Sequence, residues 1–452
     1  MRLGLVVNPV AGLGGRVGLG GSDGRDVQRR AVELGAVPGA GERSAVALGE
    51  LACRAREFEL FAASGAMGEE SARAAGVPVR VVYRSRPGAT GARDTVAAVR
   101  ALAGVVDLLL FAGGDGTARD VLEADAGIPV LGIPTGVKMH SAVFAVNPRA
   151  AGEIVAGWAS GLGRPEIRPA EVMDRDETEL RRGRLTSRLY GWLPVPYVPV
   201  RVQQRKAGSS GVSPEAVGGI AAELGSRVGE GDVLVLGPGT TTRAVAAALG
   251  AEIPLTGVTA LVREAAGDGC GCGCGCGCVE GCCSCRGLCP RTPGLAPAPP
   301  LHLDPRGSCT VSCGCVVAGR AVPRAPEGAA AQPPSPSASR RQAAPSYRPL
   351  ATHLTSAQLL TLATHHPLLL ALSPIGGQGF LLGRGNQQIS PEVLRTLTPG
   401  KLLVLATEAK LAALHNRPLL IDTGDDALDA ELSGYVTVLT GRGRTALYRL
   451  SH

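Results

Sequence analysis

The residues with most chemistry in this chain are Gly113-Gly114-Asp115-Gly116-Thr117, which follow the apolar run Leu108–Ala112. Glycines let a backbone approach phosphate closely, and the N–H groups at the start of a following helix favour anions. A carboxylate at the tip of a strand, as Asp115 would be, can take the proton of an attacking hydroxyl, which is the task of the catalytic Asp in many kinases. The same five residues also suit a plain strand-to-helix turn. Their surroundings must decide.

Those surroundings repeat the plan. Leu3–Val7, Phe58–Ala62, Val79–Tyr83, Leu108–Ala112 and Val130–Ile133 are candidate strands, mostly continuous in hydrophobicity as strands buried on both faces should be. Helical spacing fills the gaps at Arg25–Leu34, Ser44–Arg56, Thr95–Leu102 and Ala118–Glu123. Alternation of this kind predicts a parallel sheet covered by helices. Several strands run into glycine-bearing loops: Asn8–Gly12, Ser64–Gly68, Gly113–Thr117 and Pro134–Gly136. In a parallel sheet these loops share the carboxyl edge, where open α/β folds bind ligands. Lys138, just beyond Gly136, could neutralise phosphate as a point charge or simply be solvated. His140 reads more readily as a packed or capping residue than as an acid.

Further along, Arg184–Tyr197 and Val200–Gln204 read as an antiparallel unit, and Pro214–Arg227 as a helix. Val233–Leu236 then enters Gly237-Pro238-Gly239-Thr240-Thr241-Thr242 and a helix at Arg243–Leu249. This loop suits a second anion nest or a helix start capped by threonines. Gln378, Arg384 and Asn386 offer amide and guanidinium groups amid glycines, for phosphate or base recognition or as a turn-rich connector. Asp422, Asp425 and Asp426 surround Gly424, where Mg²⁺ binding competes with an Asp-rich helix start.

Of the 13 cysteines, all but Cys53 fall between Cys270 and Cys315, beginning with strict Gly-Cys alternation. Such clustering is unlike a disulfide framework, and it lacks the structured spacers of zinc sites. Residues 267–346 are low in complexity and carry no burial period, so they are expected to be a disordered insertion without a working metal site. Leu255–Val262 and the segment from Arg348 should then pack as neighbours. The chain divides into an α/β domain at 1–160, a C-terminal domain at 161–266 plus 347–452, and this insertion.

At 452 residues the chain is long enough for two or three domains. Its net charge of +7 is spread along the sequence, without basic blocks or interleaved aromatics, which argues against a nucleic-acid partner. No apolar stretch approaches a membrane span and no leader core follows Met1, so a cytoplasmic protein is expected. Self-association is left open.

Taken in order, several segments resemble the ATP-NAD kinase family, in the branch that includes the acetoin-catabolism protein AcoX, within the NAD kinase and diacylglycerol kinase-like superfamily. They are Val7–Gly12 with Gly14–Gly18, Gly113–Thr117, Gly132–Ala142, Lys206–Ser210, Gly237–Thr241, and Ser373–Phe380 continuing into Gly383–Gln388. The likeness covers nearly the whole chain outside 267–346. It implies an α/β fold with an N-terminal parallel-sheet nucleotide-binding domain and a C-terminal mixed α/β domain with antiparallel strands. It further implies a phosphotransferase moving phosphate from ATP, with Mg²⁺, or from polyphosphate, to the 2′-hydroxyl of NAD to form NADP. Asp115 would be the base. Asn8, Gly113, Gly114, Gly116, Thr117, Gly136, Lys138, Gly237, Gly239 and Thr240 would line the nucleotide and phosphate site. Two alternatives stand: a kinase of the same fold acting on a lipid or small-metabolite hydroxyl, and an AcoX-like dinucleotide-binding protein without turnover. The Asn-Glu/Asp pair that holds the dinucleotide in NAD kinases has no counterpart here, since Asn147 is followed by Pro148.

Overall fold

In a computed structural model, residues 1–15, 17–19, 24–55, 57–85, 90–136, 139–161, 163, 165–175, 187–198, 213–229, 231–263, 347–375, 379–398 and 400–452 are described. The 267–346 segment with its cysteine tract, Lys138, Gln378 and the Val200–Gln204 strand lie outside them. Residues 1–264 and 345–452 belong to one compact unit.

The N-terminal part runs β1 (Arg2–Val7), α1 (Arg25–Glu33), α2 (Ala40–Arg54), β2 (Glu59–Ala63), α3 (Glu69–Ala74), β3 (Val79–Tyr83), α4 (Ala92–Ala103), β4 (Leu108–Gly113), α5 (Asp115–Ala124), β5 (Val130–Pro134) and α6 (Pro148–Ala159). The strands form a five-stranded sheet in the order β3-β2-β1-β4-β5, every pair parallel. β4 and β5 are buried along their whole length, the burial their unbroken apolar sequence requires. Helices α2, α4, α5 and α6 contribute Leu48, Leu51, Val99, Leu102, Val121 and Ile154 to the same core. The order reverses between β1 and β4, which makes their carboxyl ends the switch-point crevice of an open α/β sheet.

A two-stranded antiparallel hairpin follows, β6 (Glu166–Arg175) with β7 (Ser187–Tyr197). The C-terminal part contains α7 (Pro214–Arg227), β8 (Val233–Leu236), α8 (Thr240–Ala248), β9 (Thr259–Arg263), β10 (Tyr347–Ala351), α9 (Ser356–His365), β11 (Leu368–Leu372), β12 (Phe380–Leu382), α10 (Pro391–Arg395), β13 (Leu402–Leu405), α11 (Glu408–Ala412), β14 (Leu419–Ile421), α12 (Asp426–Leu432), β15 (Gly434–Gly441) and β16 (Arg444–Ser451). These strands build a mixed sheet ordered β10-β9-β8-β11-β13-β15-β16-β14-β12. Its β8-β11-β13-β15 centre is parallel and the β9 and β10 flank is antiparallel.

Several helices start earlier than their apolar spacing predicts, two of them at glycine loops. α5 begins at Asp115 and α8 at Thr240, so both glycine loops feed directly into a first helical turn. Neither turn has the apolar positions that a periodicity reading relies on. An Asp in the first turn is favoured by the helix dipole. The antiparallel partner of β7 is β6, and the strand expected at Leu255–Val262 is confined to its second half, as β9.

Candidate functional site

Three loops meet at the carboxyl edge of the five-stranded sheet, and their glycines are what allow it. Gly12 has φ +77°, and a Cβ there would lie 2.0 Å from the Thr135 carbonyl oxygen. A Cβ on Gly113 would sit 2.3 Å from the Thr117 side chain, and one on Gly136 would sit 2.9 Å from the Gly114 Cα. The β1, β4 and β5 loops are therefore in backbone contact. Asn8 locks two of them across the switch point, its Nδ2 donating to Thr117 Oγ1 at 2.9 Å. Its backbone N–H donates to the Ala112 carbonyl at 3.0 Å.

Asp115 is the first residue of α5 and is only 5% exposed. Its carboxylate accepts two backbone N–H bonds, from His140 at 2.7 Å and Ser141 at 3.0 Å. Gly132 of β5 forms an isolated parallel bridge with Phe144, so the segment after β5 returns alongside that strand. β6 holds that segment in place: Ser141 Oγ donates to the Met173 carbonyl at 2.8 Å, and Ala142 N–H to the Glu171 carbonyl at 2.9 Å. Burial pushes the Asp115 carboxyl up from 3.8 to about 7. The hydrogen bonds from Ser141 and His140 oppose that rise, and the nearby Asp174 charge adds to it. A carboxyl balanced near neutrality can hold or release a proton at working pH, which is the property wanted of a general base.

A buried ion cluster adjoins this loop assembly. Arg43 on α2 donates to the Pro134 carbonyl at 2.6 Å and to Asp422 Oδ2 at 2.5 Å. Arg384, beyond β12, places its Nε 3.6 Å from the same Asp422 oxygen. Its Nη2 donates to the carbonyls of Ala145 and Val146, and its guanidinium stacks 4.1 Å over the Phe380 ring. Two guanidinium groups thus share one carboxylate, and Arg384 Nε and Nη1 make no hydrogen bond. Burial lowers the Arg384 pKa to about 9, with Asp422 pulling it back up. Beside the cluster is a cleft of about 110 Å³ lined by Gly12, Arg43, Thr135, Asn147, Gly383 and Asp422, among others.

Asn8, Gly113, Gly114, Asp115, Gly116, Thr117 and Gly136 thus belong to one edge of one sheet. Gly237, Gly239 and Thr240 belong to the other sheet, at the end of β8, where the neighbours are Leu255, Leu372 and Thr242. Asn147 caps α6, accepting from Ala150 N–H at 2.7 Å. Asp425 caps α12, accepting from Leu428 N–H at 3.0 Å, so the helix-start reading describes that residue. Asp422 does neither, because it pairs with Arg43 and Arg384. The N–H groups of His140 and Ser141, and the Arg43 side chain, were not legible beforehand. α2 starts at Ala40, four residues before its predicted start, and a donor from an irregular backbone leaves no residue-type signal.

Residues 3–161 match the ATP-NAD kinase N-terminal domain and residues 334–450 match the ATP-NAD kinase C-terminal domain. Both domains are present, in order, over more than half of the sequence. The chain belongs to the ATP-NAD kinase family. A search of curated proteins finds no match. Among solved structures, one described as "a putative diacylglycerol kinase from Bacillus anthracis str. Sterne" aligns at 15% identity, over 39% of this chain and 45% of that chain, with a TM-score of 0.22. Another, of a diacylglycerol kinase from the same organism, aligns at 16% identity over 39% of this chain and 46% of that chain, with a TM-score of 0.20. The match spans less than half the length of either chain.

Proposed function

We propose that this protein is an NAD kinase-type phosphotransferase that forms NADP, with ATP or polyphosphate as donor. The observation carrying the proposal is the Asp115 carboxyl, buried at the start of α5 and raised to about 7, beside the glycine loops of the switch point. In the reaction the 2′-hydroxyl oxygen of the adenosine-side ribose bonds to the terminal phosphorus. The bond from that phosphorus to its bridging oxygen breaks, ADP or a shortened polyphosphate leaves, and Asp115 receives the hydroxyl proton. Each carboxylate oxygen has a lone pair beyond the one used by His140 or Ser141. Mg²⁺ enters as part of the MgATP substrate, held chiefly by phosphate oxygens and water.

Charge supports the same reading. Two guanidinium groups, Arg43 and Arg384, lie beside the loop, and guanidinium suits phosphate oxygens. The open first turn of α5 adds backbone donors, since its N-cap is Gly114 and no side chain caps it.

A second reading has its own observation. The two N–H bonds to Asp115 would equally serve a structural staple in a protein that binds a dinucleotide without turnover. Incubating the purified chain with ATP or polyphosphate and NAD, then measuring NADP, separates them. NADP formation that is lost in Asp115→Asn supports the kinase. Binding of NAD with no product in the unaltered chain overturns it.

A further inference from the structure

The glycine loop Gly237–Thr240 has no contact with the Asp115 group among those described, yet it carries features of its own. The parallel neighbours β8, β11 and β13 end at one edge of the nine-stranded sheet. From that edge they deliver the start of α8, Ser373, and Lys410 on α11. Lys410 Nζ donates to Ser373 Oγ at 2.8 Å and to Thr241 Oγ1 at 3.3 Å. An ammonium group is thereby held at the positive end of a helix, an arrangement that a bound anion would favour. Hydroxyls that accept from the lysine keep their own O–H for a ligand.

The first turn of α8 is uncapped by any side chain, and its N-cap Gly239 adopts φ +141°, ψ +165°, a conformation that excludes a Cβ. Thr240, the first helical residue, is exposed, so the turn is open to solvent. An independent observation lies beneath it. Thr259 is cross-strand partner to Leu236, the last residue of β8, and Leu236 packs with Val245 and Ala246 of α8. The register therefore aims Thr259 at the α8 face of the sheet, at the edge where that helix begins. Its side chain is fully buried, and Thr259 Oγ1 has no hydrogen-bond partner. A buried hydroxyl left unpaired is costly unless something arrives to meet it.

We infer that the carboxyl edge of β8, β11 and β13 is a second oxyanion site, taking a phosphate group through the α8 amides, Lys410 and the Thr241 and Ser373 hydroxyls. It does not depend on the reading of Asp115. Free inorganic phosphates and the phosphate end of a nucleotide present the same chemistry to it.

Calorimetric titration of the full chain with orthophosphate, pyrophosphate and AMP, at low salt and without a phosphoryl acceptor, tests the site. The unaltered protein should bind at least one of the three. Lys410→Gln should weaken that binding by at least about tenfold, the scale of one lost charged hydrogen bond. Thr240→Asp should do the same while keeping the thermal midpoint, because a carboxylate at a helix start suits the helix and repels an anion. Thr240→Asp also decides the matter if Lys410→Gln fails to fold. Binding of orthophosphate or pyrophosphate without AMP assigns the site to inorganic anions, and binding of AMP alone assigns it to a nucleotide. No binding to the unaltered chain, or binding untouched in a folded Thr240→Asp protein, overturns the inference. Either failure leaves NADP formation by the Asp115 site untouched as a separate measurement.

Discussion

Tyr347 lies directly opposite Arg263 in the antiparallel pair formed by β10 and β9. The two residues flank the low-complexity segment in sequence and are paired neighbours at the β10 end of the sheet. Tyr347 is itself buried, which anchors the returning chain.

Such a junction can be closed by a short turn. Replacing residues 267–346 with a brief Gly-Ser linker should leave stability within about 1 kcal/mol of the parent, since loop-closure cost rises slowly with length and the sequence of this segment carries no burial period. NADP formation should persist. Thermal unfolding and the phosphotransfer assay check this; loss of folding, or of a metal required for activity, would make the cysteine tract a working part of the protein.

Asp115→Asn is nearly isosteric and should retain the fold with one of the two backbone N–H bonds lost, yet lose on the order of 10²–10⁴ in turnover as the proton acceptor disappears. Circular dichroism and kcat for NADP formation are the measurements. A variant as fast as the parent removes Asp115 from the role of base.

The raised Asp115 pKa has opposite consequences for activity and stability. The folded chain binds this proton more tightly than the unfolded chain, with about 7 against 3.8. Its stabilising contribution is therefore complete below about pH 4 and is lost as pH rises through about 7. Catalysis needs the ionised form, so kcat/KM should rise with pH through about 7. Thermal midpoints and rates measured across that window, with Asp115→Asn as the control that flattens the stability trend, test both signs.

Asp422 and Arg384 have side chains that are each 5% exposed, so their ion pair is shielded from solvent. Asp422→Ala would leave Arg384 buried without its carboxylate and should cost about 3–5 kcal/mol. Urea unfolding reads this directly, and an unchanged midpoint would mean that the pair carries no stability.

Much of this architecture was legible from residue order. Leu108–Ala112 and Val130–Ile133 read as strands from their apolar runs, and both are buried strands, with Gly113–Thr117 at the end of the first. The N–H groups of His140 and Ser141 were not, because any residue type supplies that donor and its aim is set by the distant contact of Ser141 with Met173. Arg43 and Asp422 meet across 379 positions of sequence, a pairing that local spacing cannot encode. Gly237–Thr240 shows the converse: a loop with the same local grammar as Gly113–Thr117 was grouped with it, although topology gives it a sheet of its own.

The backbone contact between Gly114 and Gly136 bears on how this site can evolve. A Cβ at Gly136 would lie 2.9 Å from the Gly114 Cα, and one at Gly114 would lie 3.3 Å from the Gly136 Cα. Each residue is already the smallest available, so neither can shrink to accommodate growth in the other. Ordinary core positions trade volume with their neighbours and drift together. This pair has no such currency, and in a saturation library both positions should be depleted without second-site rescue between them. Adaptation to a new phosphate acceptor must instead run through side chains around the rim, such as Arg43 and Asn147, while the junction of the two loops stays fixed.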